Sequence, residues 1–177
     1  MKIAIGSDHA GFRLKEQVKD YLDSRLIEYE DFGTFNEEST DYPRYAEQVA
    51  KAIINLGFDG GILICGTGIG MSIAANKFPG IRAAACSEPF SAILSRRHNN
   101  SNVLCMGARV IGSGMAMLIT EGWLNATYEG GRHERRVGMI TRMEQRNQTI
   151  VPPTIAAEFP NETPESQETQ PHSTQTP

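Results

Sequence analysis

Short apolar runs alternate with longer segments in which apolar positions recur every three or four residues, almost without interruption, from residue 1 to about residue 147. Lys2 to Ser7 predicts a first strand. A helix follows from about Gly11, with Leu14, Val18 and Leu22 at i, i+4 and i+8 on one face. Ile27 to Phe32 predicts a second strand. Pro43 then opens a helix that buries Tyr45, Val49, Ala52, Ile53 and Leu56 along one stripe. The run Ile62 to Ile64 marks a central strand, Gly61 to Cys65. A small-residue helix starts near Gly70 and continues through about Lys77, where Pro79-Gly80 stops it. Ile81 to Cys86 and Asn102 to Met106 predict two more strands, with helices over Glu88 to Arg97 and Ser113 to Asn125. Repeated β-α units imply a doubly wound, Rossmann-like α/β fold: a three-layer sandwich whose five-stranded parallel sheet is covered by helices on both faces. Ligands bind such sheets at the C-terminal ends of the strands. That rule gathers Ser7-Asp8-His9, Cys65 to Gly70, Ser87 and Gly107 onto one rim.

A charged helix begins after Gly130-Gly131, with Val137, Ile140 and Met143 as an apolar edge. It follows the last β-α unit, so it is placed to cover a neighbouring subunit rather than its own sheet. From about Gln148 the pattern stops. Six of the nine prolines lie in residues 148–177 among Thr, Glu, Gln and Ser, the composition of a disordered tail. The chain therefore reads as one domain, residues 1–147, followed by that tail.

The segment that promises chemistry is Gly60 to Ala75. A strand that empties into Gly66, Gly68 and Gly70 and then a helix presents several backbone N–H groups at one point. Glycine lets a ligand approach that backbone. Such a cup suits a phosphate or an oxyanion that appears only during a reaction. Cys65 is aimed into it, and a thiol near a helix N-terminus has its thiolate favoured. The plainer alternative is a small buried hydrophobe. The dinucleotide fingerprint is not met, because Met71 stands where its third glycine belongs, although Glu88 follows at a suitable spacing. No Lys-Ser or Lys-Thr follows the last glycine, which excludes a phosphate loop. Asp8-His9 can hold hydroxyls, shuttle a proton or bind phosphate, or else cap a helix. His98-Asn99-Asn100, just beyond a helix, is either a polar loop or a sugar contact. Arg132 and Arg136, at i and i+4, can close on one phosphate or form a solvated basic face, and Arg109 is placed to join them.

Composition narrows the field. Apolar residues make up 40% and charged residues 21%, as in ordinary globular proteins, and a net charge of −4 gives no footprint for nucleic acid. Cys65, Cys86 and Cys105 are odd in number and lie in or at apolar runs, which points to free thiols in a reducing compartment and to no zinc spacing. The first residues pass straight into a strand, and no apolar run is long enough to span a bilayer, so a cytoplasmic location with idle glycosylation motifs is expected.

Ser7-Asp8-His9-Ala10-Gly11, Thr40-Asp41-Tyr42-Pro43, the strand and loop Gly60 to Gly70, Asn76-Lys77, Gly80-Ile81-Arg82-Ala83 and Tyr128-Glu129-Gly130-Gly131-Arg132-His133 together resemble ribose-5-phosphate isomerase type B. The similarity runs from Met1 to about Asn147. Some members carry a glutamate base, whereas Cys65 aligns this chain with those that use a thiol. The resemblance implies that Cys65 moves a proton between C2 and C1 of the open-chain sugar. It implies that Thr67 and His98, with Asp8, open the furanose ring. Backbone N–H groups from Gly66 to Ser72, including Gly68 and Gly70, would hold the enediolate. Asn99 would bind the sugar, and His9, Arg109, Arg132 and Arg136 the phosphate. Such an isomerisation needs no metal and no cofactor, and the resemblance further implies a homodimer or a tetramer, in which His98, Asn99 and Arg109 reach into the neighbour's Cys65 cup. Six-carbon sugar phosphates such as allose 6-phosphate or galactose 6-phosphate are the alternative substrates. A non-catalytic sugar-phosphate-binding module and a dinucleotide-dependent oxidoreductase are the competing functions.

Overall fold

The computed structural model describes residues 1–147, so the tail expected over 148–177 lies outside the described residues. The strands are β1 (Lys2–Ser7), β2 (Glu28–Asp31), β3 (Gly60–Cys65), β4 (Ala83–Ala85) and β5 (Val103–Gly107). The helices are α1 (Phe12–Ser24), α2 (Tyr42–Leu56), α3 (Ile69–Ala75), α4 (Pro89–Asn99), α5 (Ser113–Asn125) and α6 (Arg132–Asn147). All strands pair in parallel, in the order β2-β1-β3-β5-β4. The chain winds outward from β1 to β2, then crosses back to β3 and continues the other way. The switch point therefore lies between β1 and β3, where ligands bind such sheets. This is the doubly wound sandwich that the periodicity predicts.

Strand alternation sorts the core into two layers. Ile3, Ile5, Ile62, Ile64, Leu104 and Met106 face α1, α4 and α5, where Leu14, Val18, Leu22, Ala92, Ile119 and Trp123 close over them. Ala4, Leu63, Cys65, Val103 and Cys105 face α2 and α3, against Ala46, Val49, Ala50, Met71 and Ala75. No helix among the described residues is long and apolar enough to cross a membrane.

Several expected details shift. The buried stripe of α2 is Ala46, Val49, Ala50 and Ala52, while Leu56 is 66% exposed, because the helix leaves the sheet at Gly57 before its last turn finds a neighbour. The helix after the glycine loop ends at Ala75, two residues short of Lys77, and β4 is reduced to three alanines. Asn76 shields that edge strand: its amide donates to Ala83 O (2.9 Å) and accepts from Ala83 N (2.8 Å). Ile140 and Met143 on α6 stay about half exposed. α4 continues through Asn99, so His98 and Asn99 lie on its last turn rather than beyond it.

The position of that turn matters for the site. α4 starts after the C-terminal end of β4 and returns antiparallel to the strands, ending just before β5 begins. His98 and Asn99 are therefore at the N-terminal end of the sheet, and Cys65 at the C-terminal end.

The β1 arm is held from beneath by a buried ion pair. Lys15 is fully buried, its Nζ on Asp31 and near the rings of Phe12 and Phe35. Asp31 also receives Lys19 Nζ (2.8 Å) and the Gly33 N–H (2.9 Å). Gly33 and Thr34 then bond to Ser7, directly before Asp8. Burial pushes the Asp31 carboxyl up, but the bonds from Lys15, Lys19 and Gly33 outweigh it and hold the group below its ordinary 3.8. A depressed carboxylate stabilises the fold above its unfolded pKa, and that stability is lost as pH falls through the folded value. Asp31→Asn, which leaves the buried Lys15 ammonium only the half-exposed Glu16 carboxylate (3.1 Å), is expected to cost up to about 3 kcal/mol in urea denaturation at pH 7 and to flatten the acid limb of the stability profile below about pH 4. An unchanged midpoint at pH 7 would show the pair to be dispensable.

Candidate active site

β1, β3 and β5 deliver their C-terminal ends to one point, and the contacts there are backbone on backbone. Asp8 N donates to Ile64 O (3.2 Å), Ala108 N to Cys65 O (2.8 Å) and Arg109 N to Gly66 O (3.0 Å). A Cβ on Gly107 would lie 2.7 Å from the Thr67 backbone, so only glycine lets the loop after β3 fold onto β5. Gly68 takes φ +79°, a left-handed turn that brings its N–H back to Cys65 Sγ (3.1 Å). The thiol is thereby aimed into the loop and is 5% exposed.

The surrounding groups are ordered as follows. Asp8 is 7% exposed, and its Oδ1 accepts from Gly11 N (2.9 Å), leaving the other oxygen at the rim. The N-cap of α1 is Gly11, not Asp8. His9 Nδ1 lies 3.2 Å from Thr40 N and 3.3 Å from Thr40 O, which fixes the ring from the loop after β2. Thr67 is exposed, with its Oγ1 on Ile69 N (3.3 Å). The first-turn N–H groups of Gly70 and Met71 have no acceptor within α3. Ser72 is not available as a donor to an oxyanion, because its N–H is given to Gly68 O (3.1 Å) and its hydroxyl to Ile69 O (2.8 Å). Gly68 likewise gives its N–H to the sulfur. Arg109 belongs to the cup of its own chain: its Cδ lies 3.5 Å from where a Cβ on Gly66 would be. The expectation that it reaches into a neighbour's cup is corrected by this short tether to Gly66.

The remaining expected residues form a second cluster at the opposite end of the sheet. Arg97 Nε holds Glu129 Oε1 (2.6 Å), and Glu129 N donates to Arg97 O (3.0 Å), which stitches the segment before α6 to the last turn of α4. The rings of His98 and His133 stack, 4.1 Å apart and 5° from parallel. Glu129 Oε2 faces both, 3.6 Å from His98 Nε2 and 3.7 Å from His133 Nε2. Arg132 Nε donates to His133 Nε2 (3.3 Å), and Arg132 and Arg136 are exposed beside Asn99 and His98 at this end. Burial lowers the His133 pKa, helped by His98 and by Arg132. His98, Glu129 and His133 present ligand atoms within 4.8 Å of one another. Parallel rings send their nitrogen lone pairs side by side rather than to a common point, and Arg132 occupies one of them, so the trio suits a metal poorly.

The profile of the Ribose/Galactose Isomerase family matches residues 3–140. The chain belongs to that family. Ribose-5-phosphate isomerase B of Escherichia coli (strain K12) is 59% identical over 145 residues, covering 82% of this chain and 97% of that protein. The solved structure of a ribose-5-phosphate isomerase B from Clostridium thermocellum superposes with a TM-score of 0.82 at 50% identity, over 83% of this chain and 99% of that one. D-erythrulose-4-phosphate isomerase of Pectobacterium atrosepticum is 42% identical over 147 residues, covering 82% and 97% respectively. The isomerase therefore has relatives with more than one named substrate.

Three residues of this isomerase stand in the two clusters without having been singled out by spacing. Tyr42 lies over the cup, its ring 2.8 Å from where a Cβ on Gly70 would be. Glu129 and His133 surround His98. All three fall within stretches that resemble the family, which was the signal that marked them.

Gly68→Ala tests the cup. Its Cβ would meet Met106 backbone at 3.0 Å in a left-handed conformation, so the turn must open and withdraw the N–H from Cys65 Sγ. Turnover is expected to fall at least about tenfold, for the loss of a buried hydrogen bond of roughly 1.5 kcal/mol at Cys65 Sγ, with the fold retained by circular dichroism. Wild-type turnover would show that the bond to sulfur has no part in the reaction.

Proposed function

We propose that the chain is a cofactor-independent aldose–ketose isomerase that interconverts ribose 5-phosphate and ribulose 5-phosphate through an enediolate, with Cys65 as base. The observation that carries this reading is Cys65 itself, nearly enclosed at the switch point of the sheet, hydrogen-bonded by Gly68 N–H, with the backbone of Asp8 bonded to the strand residue before it. A binding module has no use for a thiol held that way, and the dinucleotide reading lacks its third glycine. The named activity of the Escherichia coli relative supplies the five-carbon substrate. The Pectobacterium relative supports a second reading, a four-carbon ketose phosphate. Steady-state rates on ribose 5-phosphate, allose 6-phosphate and erythrulose 4-phosphate side by side decide among the substrates.

In this reading the Cys65 thiolate removes the proton from C2 of the open-chain aldose, and the electron pair forms the C1–C2 double bond of the enediolate. The N–H groups of Gly70 and Met71, with those of Gly66 and Thr67, hold the developing oxyanion. The hydroxyl proton on O2 moves to O1, C2 becomes the carbonyl, and Cys65 returns its proton to C1. His98, Thr67 and Asp8 open the furanose beforehand. Asn99 binds a sugar hydroxyl, and His9, Arg109, Arg132 and Arg136 hold the phosphate, whose binding energy orients the reacting carbons. Residues 1–147 suffice for this chemistry, since the family profile ends at residue 140. Cys65→Ala is expected to lower turnover ~10²–10⁴-fold and to stop exchange of the C2 hydrogen with solvent. Near-wild-type exchange in that variant would remove Cys65 from the reaction.

The two clusters at opposite ends of one sheet support a two-fold dimer with shared sites: each Cys65 cup, with its own Arg109, receives His98, Asn99, Arg132 and Arg136 from the second copy. Mixing inactive Cys65→Ala with inactive His98→Ala under subunit exchange places both lesions in one site of each mixed dimer and leaves the other site intact. Random pairing makes about half the dimers mixed, so roughly a quarter of wild-type activity is expected to return. A flat trace on mixing, with both variants shown to dimerise, rules the shared site out.

A further inference from the structure

The segment from Tyr128 to His133 carries two groups that the reaction described above does not use, Glu129 and His133. We propose that Glu129 is a positioning residue for ring opening, holding the His98 imidazole so that Nε2 faces a carboxylate and Nδ1 faces the sugar. The proposal rests on the reading of His98 as the ring-opening group.

Glu129 is not free to wander. Its Oε1 is held by Arg97 Nε (2.6 Å), and its backbone N–H by Arg97 O (3.0 Å), so side chain and main chain are both tied to the last turn of α4. The other oxygen, Oε2, is thereby presented to His98 Nε2 at 3.6 Å and to His133 Nε2 at 3.7 Å. These two nitrogens are not equivalent. Arg132 Nε donates to His133 Nε2, which makes that nitrogen an acceptor without a proton. The proton that can face Oε2 is then the one on His98 Nε2, and Nδ1 of His98 is left as the basic nitrogen. At 3.6 Å the contact is longer than a hydrogen bond, and such contacts in an unliganded site close when substrate arrives.

His133 completes the support. It is the buried ring of the stack, 6% exposed, and burial together with His98 and Arg132 lowers its pKa, so it stays neutral at neutral pH. An uncharged face lets His98 lie flat on it and take up a proton without like-charge repulsion from its nearest neighbour. The charged groups that face the pair are Arg97 from α4, Glu129 from the preceding segment, and Arg132 and Arg136 from α6. Glu129 is the one that offsets the cations.

The step it serves is balanced within the sugar. His98 Nδ1 takes the proton of the C1 hydroxyl, the C1 carbonyl forms, and the bond from C1 to the ring oxygen breaks. The same imidazole then gives that proton to the ring oxygen and returns to its starting state. The two oxygens share one carbon, so one fixed ring can serve both.

The test separates ring opening from proton transfer. Ribose 5-phosphate enters as a closed ring, whereas ribulose 5-phosphate is open, its C5 oxygen being esterified, so exchange of its C1 hydrogen with solvent needs the enediolate but no ring step. Glu129→Gln keeps the shape and removes the charge. It is expected to lower kcat/KM on ribose 5-phosphate at least about tenfold, and on ribulose 5-phosphate in step as the fixed equilibrium constant demands, while C1 hydrogen exchange in ribulose 5-phosphate stays within about twofold of wild type. Glu129→Asp is expected to recover part of the loss. His98→Asn, measured alongside, should show the same split more strongly. Equal losses of turnover and exchange for Glu129→Gln, or none in either, overturn the positioning role while leaving a split in His98→Asn, and thus the ring-opening reading, intact. Equal losses of turnover and exchange in His98→Asn overturn both. If Glu129→Gln fails to fold, Arg97→Met, which frees the carboxylate from its anchor, must show the same split between turnover and exchange or the proposal falls.

Discussion

The candidate site depends on three strand ends meeting with no side chain between them. Gly11 lies where a Cβ would fall 2.3 Å from Ile64 O, and Gly107 where one would fall 2.7 Å from Thr67. Asp8, Cys65 and Arg109 are close because the backbones that carry them touch. The side chains of Asp8 and Cys65 are then fixed by a short bond to nearby main chain, and little is left to their rotamers. Positioning of this kind is stiff, which is what proton transfer between adjacent carbons requires. The buried Lys15–Asp31 pair beneath β1 serves the same end, since it anchors the turn that holds Ser7 in place.

The second cluster is governed by the opposite circumstance. A parallel sheet returns each crossover helix to its starting end, so the last turn of α4 is as far from the cup as the strands are long. His98, Asn99, Arg132 and Arg136 occupy that end together, drawn there by the bonds between Arg97 and Glu129. In the proposed reading one chain carries both halves of a site and cannot bring them together. In the proposed dimer, assembly supplies what the fold of a single chain withholds.

Much of this was legible from the residues. The short apolar runs at Lys2 to Ser7, Ile62 to Ile64 and Asn102 to Met106 announced strands, and the glycines after Cys65 announced a cup. Local pattern ran out where tertiary neighbours decide. Leu56 fits the apolar stripe of α2 and is exposed in its last turn, since a stripe reports the face of a helix and not how far along it neighbours reach. Ser72 looked like a donor and is consumed by its own helix. His98 read as a loop residue because Asn99 and Asn100 resemble a helix stop, while the chain kept its helix for one more residue pair and turned at Asn100 with φ +49°. The partnership of His98 with Glu129 and His133 spans more than thirty positions, and no periodicity reports a contact of that range; only the likeness of the whole segment to a family did.

Asn76 shows how the molecule defends its weakest margin. β4 is three alanines long and forms the outer strand of the sheet, with nothing bulky or charged to discourage another extended chain from adding to it. Its amide side chain copies the donor and acceptor of a peptide group and occupies both open positions of Ala83, so the sheet ends against a counterfeit neighbour. Because the counterfeit is a side chain on a helix turn, it cannot be extended by a further strand. One asparagine thus closes the first residue of the margin to edge-on pairing without lengthening the strand.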